Sequence, residues 1–234
     1  MEKRPDLPYI VKWSLRFPAT GTSRIFKQRV NLAGKKFVIV NEAAAVPVDE
    51  RNEYILLFFA EERHFNAYYT DLNEKRLAFL RSFYAVGGLD YSTYPGLDEI
   101  ENAAAIGRNR RFCSFLQRND LLCIYNVVWT GKENYDLAFD NVETGAPVVV
   151  STYRIRNPDD DVFREGYLEM KKRIQPSVIL CYGRPQAVML KDVESGLVVP
   201  VPTRFRMLRQ KELDLSGQLS FLDQPQSAGK AVFQ

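Results

Sequence analysis

One histidine and three cysteines are the only imidazole and thiol groups in this chain of 234 residues. His64 alone excludes the HExxH type and any other site needing two imidazoles, and no C-x-x-C pair is present. No run approaches the ~18 apolar residues needed to cross a bilayer. Met1-Glu2-Lys3-Arg4-Pro5-Asp6 leads into no apolar h-region, so no secretory signal is expected and the chain reads as cytoplasmic. GxxxxGK[ST], GxGxxG after a strand and the GxSxG elbow are also missing. P-loop ATPase, dinucleotide oxidoreductase and α/β-hydrolase readings fall with them. Cys113, Cys123 and Cys181 sit among apolar neighbours and read as small buried hydrophobes. A Cys–His nucleophile would need His64, which lies in the charged stretch Glu61-Glu62-Arg63-His64.

What is present builds a core. Apolar residues make up 46% of the chain, enough for one domain with appendages. The net charge of +3 is unevenly spread. Residues 1–36 carry nine Lys or Arg against Glu2 and Asp6, a balance of +7 that leaves −4 for the remainder. Lys12, Arg16, Arg24, Lys27 and Arg29 interleave there with Trp13, Phe17 and Phe26, a mixture that can hold a phosphate backbone and stack on bases. The plainer reading is a solvated basic arm anchored by its aromatics. Pro5, Pro8, Pro18, Gly21 and Gly34 interrupt regular structure, so residues 1–36 are assigned as an irregular arm. Removal of residues 1–30 is expected to leave a folded core.

Residues 37–208 read as the α/β domain. Short apolar runs at 37–40, 54–59, 83–86, 121–128, 147–150 and 178–181 predict strands. Helical patterns cover 72–81, 97–117, 135–139 and 162–174, the last with Phe163, Tyr167, Met170 and Ile174 on one face. Strand–helix alternation implies right-handed βαβ units and a parallel sheet, either open or an incomplete TIM-like barrel. Val188–Lys191 and Leu197–Val201 flank Glu194-Ser195-Gly196 and read as a C-terminal hairpin. Residues 209–234 are polar and read as a flexible tail.

In parallel α/β architectures the site lies at the carboxyl ends of the strands. That rule selects Arg63, Asp90, Ser92, Tyr94, Trp129, Ser151, Thr152 and Tyr182. Asp90 is the only strand-end aspartate and is the candidate acid–base or metal-binding group, with a turn or cap role as the alternative. Trp129 reads as rim packing ahead of a stacking platform. Asp159-Asp160-Asp161 is explained by capping of the helix that follows. No organic cofactor is expected, and a divalent metal is the one ion left open.

These residues bear a resemblance to a known family. Tyr54 to Gly183 resembles the domain of unknown function 4417 family of phages, plasmids and bacterial genomes. Phe58-Phe59 before Glu61-Glu62-Arg63-His64-Phe65, and Asp90-Tyr91-Ser92-Thr93-Tyr94, match its first motifs. Asn109-Arg110, Trp129, Val149-Val150-Ser151-Thr152 and Gly166…Met170…Pro176…Tyr182-Gly183 follow in the same order. Leu89, Pro95 and Tyr125 depart from its proline pattern. The resemblance adds Asn109 and Arg110 to the candidate binding residues and implies a phage or mobile-element protein in a bacterial host cell. It implies no activity. Three functions follow: a nucleic-acid- or nucleotide-associated factor using the basic arm and the rim; a hydrolase or transferase on a nucleotide or sugar-phosphate using Asp90; or a non-catalytic protein acting on a host target. In the tail, Gln218-Leu219-Ser220-Phe221-Leu222 is similar to the short peptides that dock on the bacterial sliding clamp. The competing reading folds those apolar residues back onto the domain.

Overall fold

The computed structural model describes residues 8–14 (backbone alone at 12–14), 22–153, 155, 157, 160–210 and 212–213. Arg16, Asp159, the Gln218–Leu222 peptide and the side chains of Lys12 and Trp13 lie outside the described residues. The chain divides into two units, one ending at Val201 and one starting at Pro202. In the second, residues 204–210 and 212–213 are helical, with Met207 N donating to Thr203 O.

The first unit holds seven strands: β1 (Lys36–Ile39), β2 (Tyr54–Phe58), β3 (Ala85–Leu89), β4 (Cys123–Asn126), β5 (Val148–Ser151), β6 (Ile179–Tyr182) and β7 (Val198–Val201). They pair in sequence order, and every pairing is parallel. The sheet curls into a nearly closed barrel. Phe59, one residue past β2, lies flat on Tyr182 at the end of β6, with ring centroids 4.1 Å apart and planes 7° from parallel. In a flat sheet strands four places apart would be separated by roughly 19 Å.

Both faces of the sheet are buried. Leu56, Phe58, Val86, Cys123, Val148 and Ile179 pack outward among the helices. The alternating residues Ile55, Leu57, Ala85, Ile124, Val149 and Leu180 are equally buried and line the interior. This two-sided burial is why the strands read as continuous apolar runs.

Between the strands run α2 (Asn66–Thr70), α3 (Glu74–Arg81), α4 (Glu99–Arg118), α5 (Tyr135–Phe139), α6 (Asp161–Ile174) and α7 (Leu190–Glu194), with α1 (Tyr9–Ser14) preceding the sheet. Local capping sets their starts. Asn73 accepts from Arg76 N, Asp98 from Ile100 N and Asp160 from Phe163 N. Helix α6 ends on Gln175 in the left-handed region at φ 48°.

Two expectations are corrected. The C-terminal hairpin is absent: Val188 to Lys191 belong to a 3₁₀ turn and α7, and β7 runs parallel to β6. Asp192 explains the helix, because it accepts from the Tyr167 hydroxyl (2.6 Å) and from Lys171 Nζ and so ties α7 to α6. The basic segment is also no free arm from residue 22 onward. Ile25 is fully buried and bridges Val142. Gln117 pairs with both N and O of Phe26, Gln28 bonds Cys123 N and Leu121 O, and Arg110 donates to Ser23 O. Buried polar side chains of the body therefore have the backbone of this segment as their partner.

Candidate functional site

Asp90 owes its position to a bulge. Leu56 pairs with Val86 and Phe58 with Leu89, so Gly87 and Gly88 together stand opposite Leu57. Val86 and Leu89 both pack outward among the helices although they are three positions apart, an odd spacing. The extra residue shifts the alternation, and Asp90 turns toward the interior. There its Oδ1 accepts from Asn126 Nδ2 at 3.1 Å.

Two buried asparagines fix this turn, one on the carboxylate and one on the residue after it. Asn126 is fully buried in β4, and its Nδ2 also donates to Leu89 O (2.9 Å). Both contacts are acceptors, which fixes the amide orientation and leaves Oδ1 buried with no partner among the described residues. On the other side, Asn109 of α4 accepts from Tyr91 N and donates to Tyr91 O, both at 3.0 Å. Two helical turns earlier, Asn102 treats Tyr94 the same way, accepting from its N (3.0 Å) and donating to its O (3.1 Å). One face of α4 thus pins the loop after β3 by its main chain. Tyr91 is buried, donates to Asn66 Oδ1 (2.6 Å) and carries the Arg108 guanidinium over its ring. Burial pushes its phenol well above the ordinary tyrosine range.

Because all strands run parallel, Asp90, Ser92, Trp129, Ser151, Thr152 and Tyr182 follow the same end of one sheet. They do not all face the mouth. Trp129 turns outward, donating from Nε1 to Val162 O (3.2 Å) and packing on Phe139 and Phe163. It lies directly on Gly166, where any Cβ would collide with the indole nitrogen. The Trp and Gly of the motif are one packing pair. Thr152 is likewise buried, donating to Arg184 O at 2.8 Å. Its hydroxyl would be 2.7 Å from a Cβ at Gly183, whose φ of +120° already demands glycine. Burial raises the neighbouring Cys181 thiol to about 11. Tyr182 is sealed beneath Phe59 and contacts the half-exposed Tyr153. Ser151 accepts from Tyr153 N. Ser92 and Tyr94 are exposed, and Arg63 is exposed and paired with Glu61.

Asn109 and Arg110 do not reach the mouth as ligand groups. Asn109 is spent on Tyr91. Arg110, 1% exposed, donates to the carbonyls of Ala138, Asp140 and Ser23 and so joins α4, α5 and the N-terminal segment. Of the basic segment, Arg24 pairs with Glu143 at 2.6 Å, while Lys27 and Arg29 are exposed. The guanidiniums of Arg24 and Arg118 both approach the Phe26 ring, 5.4 and 4.8 Å from its centroid. Among the described residues, no three His, Cys, Asp or Glu side chains assemble as a metal site. No described helix is long and apolar enough to cross a membrane. Sequence reasoning missed Asn126 and Asn102, although each is an amide at an otherwise buried helix or strand position.

Fold and site together define a parallel βα-barrel-like domain with an asparagine-held carboxylate at its carboxyl end. Residues 20–199 match the family described as a domain of unknown function (DUF4417), and the chain belongs to that family. It is 25% identical over 136 residues to the Gene 1 protein of Mycobacterium phage L5, covering 57% of this chain and 59% of that protein. It is 26% identical over 131 residues to the Gene 1 protein of Mycobacterium phage D29, covering 55% of this chain and 48% of that protein. The chain spans about half the length of these curated relatives. No solved structure matches it. The matched range begins before Ile25, in keeping with a segment that is built into the body.

Proposed function

We propose that this phage-type protein binds a small polar ligand of the nucleotide or sugar-phosphate class at the carboxyl mouth of its barrel, with Asp90 as the charged contact. One observation carries the reading: two buried asparagines, Asn126 and Asn109, hold the strand-end carboxylate and the residue after it. A cap or turn aspartate needs no such frame, whereas a ligand-binding group gains from being fixed before the ligand arrives. In the catalytic form of this reading, Asp90 takes or gives the proton of a ligand hydroxyl in a hydrolase or transferase reaction. The test is a native mass spectrum of the purified full chain beside Asp90→Asn and Asp90→Ala. A nucleotide-sized adduct on the native chain that Asp90→Ala loses is expected. The same adduct on Asp90→Ala refutes the assignment.

A second reading, nucleic-acid association, draws on Arg24 and Arg118 both in contact with the Phe26 ring, beside exposed Lys27 and Arg29. Its signature is binding that weakens steeply with salt, since phosphate contacts release counterions. DNA and RNA titrations of Lys27→Ala with Arg29→Ala would separate it from the first. Clamp docking through Gln218–Leu222 rests on sequence alone and is tested by clamp pull-down of Leu219→Ala with Phe221→Ala.

A further inference from the structure

Of the buried side-chain acceptors among the described residues, one has no hydrogen-bond partner: Asn126 Oδ1. Leaving an acceptor buried and unpaired is costly, and in a native fold it calls for an explanation such as an ion or a ligand. The amide cannot relieve it by turning over, because Nδ2 is committed to Leu89 O (2.9 Å) and Asp90 Oδ1 (3.1 Å). The strands around it are also tightly set. A Cβ at Gly88 would come within 2.7 Å of Asn126 N, so the bulge that turns Asp90 inward also presses β3 onto this residue.

The side chain points into the barrel. Tyr125 and Val127, on either side of it, pack outward among the helices, so Asn126 faces the interior. Asp90 joins it from β3. On β5, Val149 lines the interior and Ser151 follows two residues later on the same side. Three successive strands thus bring a carboxylate, an amide oxygen and a hydroxyl to the inside of the mouth. An all-oxygen set suits a hard cation, not zinc or copper. No three His, Cys, Asp or Glu side chains cluster among the described residues, but magnesium takes only one or two carboxylates and completes its octahedron with waters and substrate phosphates.

Size and charge favour the same ion. Asn126 Oδ1 is out of contact with solvent, which leaves a water no place at the roughly 2.8 Å of an O–H···O bond. A magnesium ion needs only about 2.0–2.1 Å. Asp90 by itself repels a phosphate, whereas a cation held on it reverses the sign of the local field. We propose that a divalent cation of the magnesium class sits between Asn126 Oδ1 and the Asp90 carboxylate and joins them to the phosphate of the ligand. The inference rests on the reading of this mouth as the ligand site.

The test is a titration of the EDTA-treated full chain with Mn²⁺, followed by the electron paramagnetic resonance signal of the free ion. A single equivalent should bind, and Mg²⁺ should displace it. Asp90→Asn should weaken binding at least about tenfold, since even an outer-shell partner of a metal is worth roughly 10–100-fold. Asn126→Ser keeps a donor on this side chain but withdraws Oδ1, and should weaken binding similarly; its melting midpoint reports whether it folds, and if it does not, Asp90→Asn decides alone. Glu194→Gln, exposed at the end of α7, should bind like the native chain. No binding by the native chain at millimolar Mn²⁺, equal affinity in Asp90→Asn or in folded Asn126→Ser, or an equal loss in Glu194→Gln overturns the proposal. A nucleotide adduct that survives EDTA on the native chain also overturns it, while sparing Asp90 as the ligand contact. An adduct kept by Asp90→Ala, beside Mn²⁺ binding that Asp90→Asn loses, would instead remove the nucleotide reading and leave the cation site standing.

Discussion

Replacing Asn109 by Ala should be among the most damaging single changes in the molecule, and the structure allows its size to be worked out. Asn109 is fully buried, as is the Tyr91 main chain it serves. Truncation removes the acceptor for Tyr91 N and the donor to Tyr91 O, each at 3.0 Å. A buried polar group left without a partner costs about 1–3 kcal/mol. Two such groups set a range of roughly 2–6 kcal/mol, and water entering the vacated amide space draws the value toward about 3 kcal/mol. For a domain of this size that lowers the melting midpoint by roughly 6–12 °C. Urea unfolding should show a lower midpoint with an unchanged slope, since the surface exposed on unfolding is the same. A loss below about 0.5 kcal/mol, the level of an ordinary surface change, would refute the pinning of Tyr91 by Asn109. Asn109→Asp sharpens the test. Its carboxylate still accepts from Tyr91 N but faces Tyr91 O with no proton to donate. The acid form restores that donor, so the folded pKa lies above the unfolded one. The defect of this variant should therefore be smallest in acid and grow as pH rises.

Gly166→Ala should displace Trp129, break its bond to Val162 O and cost about 1–3 kcal/mol by overpacking; a tryptophan emission maximum and melting midpoint identical to the native protein would contradict this. Deletion of residues 1–30 should destabilise the body instead of leaving it intact, because Gln117, Arg110 and Cys123 N lose the partners that Ser23, Phe26 and Gln28 provide; an unchanged urea midpoint would count against it. The Lys27 main-chain N–H, and then the Arg24 guanidinium, hold the Glu143 carboxyl below its ordinary value of 4.5. Its depressed folded pKa means that this stabilisation is present above that value and is lost as pH falls through it. The stability gap between the native chain and Glu143→Gln should accordingly shrink on acidification, and a gap constant with pH would remove the linkage.

The parallel barrel was legible because its strands are short apolar runs separated by helix-length, capped segments. Six of the seven strands fall where those runs lie. The seventh run, Leu197–Val201, was assigned to a hairpin with Val188–Lys191 across Glu194-Ser195-Gly196, whereas Asp192 ties the first of those segments to α6 as a helix and the second pairs parallel with β6. Closure of the sheet was not legible. Apolar residues on both faces erase the alternation that would separate interior from helix side, and only the stacking of Phe59 on Tyr182 reveals the curl. At the mouth, Asp90 was found by counting strand ends, but its inward turn depends on the Gly87–Gly88 bulge, which no local pattern announces. Asn102 and Asn109 did leave a trace: amides seven residues apart occupy one face of a helix. Arg110 entered the candidate binding residues through the family motif, which does not distinguish a ligand group from a buried brace. Its carbonyl partners come from segments distant in sequence, and so its burial could not be foreseen.

The strict sequence order of the strands bears on how the chain acquires its shape. Each new strand docks on the one made just before it, so the ladder grows at a single edge and no strand must wait for a distant partner to complete its hydrogen bonds. Loop-closure entropy is then met one βα crossover at a time, an order that suits assembly from the N-terminus during synthesis. The exceptions are few but well placed. Ile25 must wait for Val142, and Phe59 must wait for Tyr182, which arrives four strands later. Until Tyr182 is made, the growing sheet exposes Phe59 and the apolar interior below it. The last steps of folding, not the first, are therefore the window in which a partner or a second nascent chain could capture it.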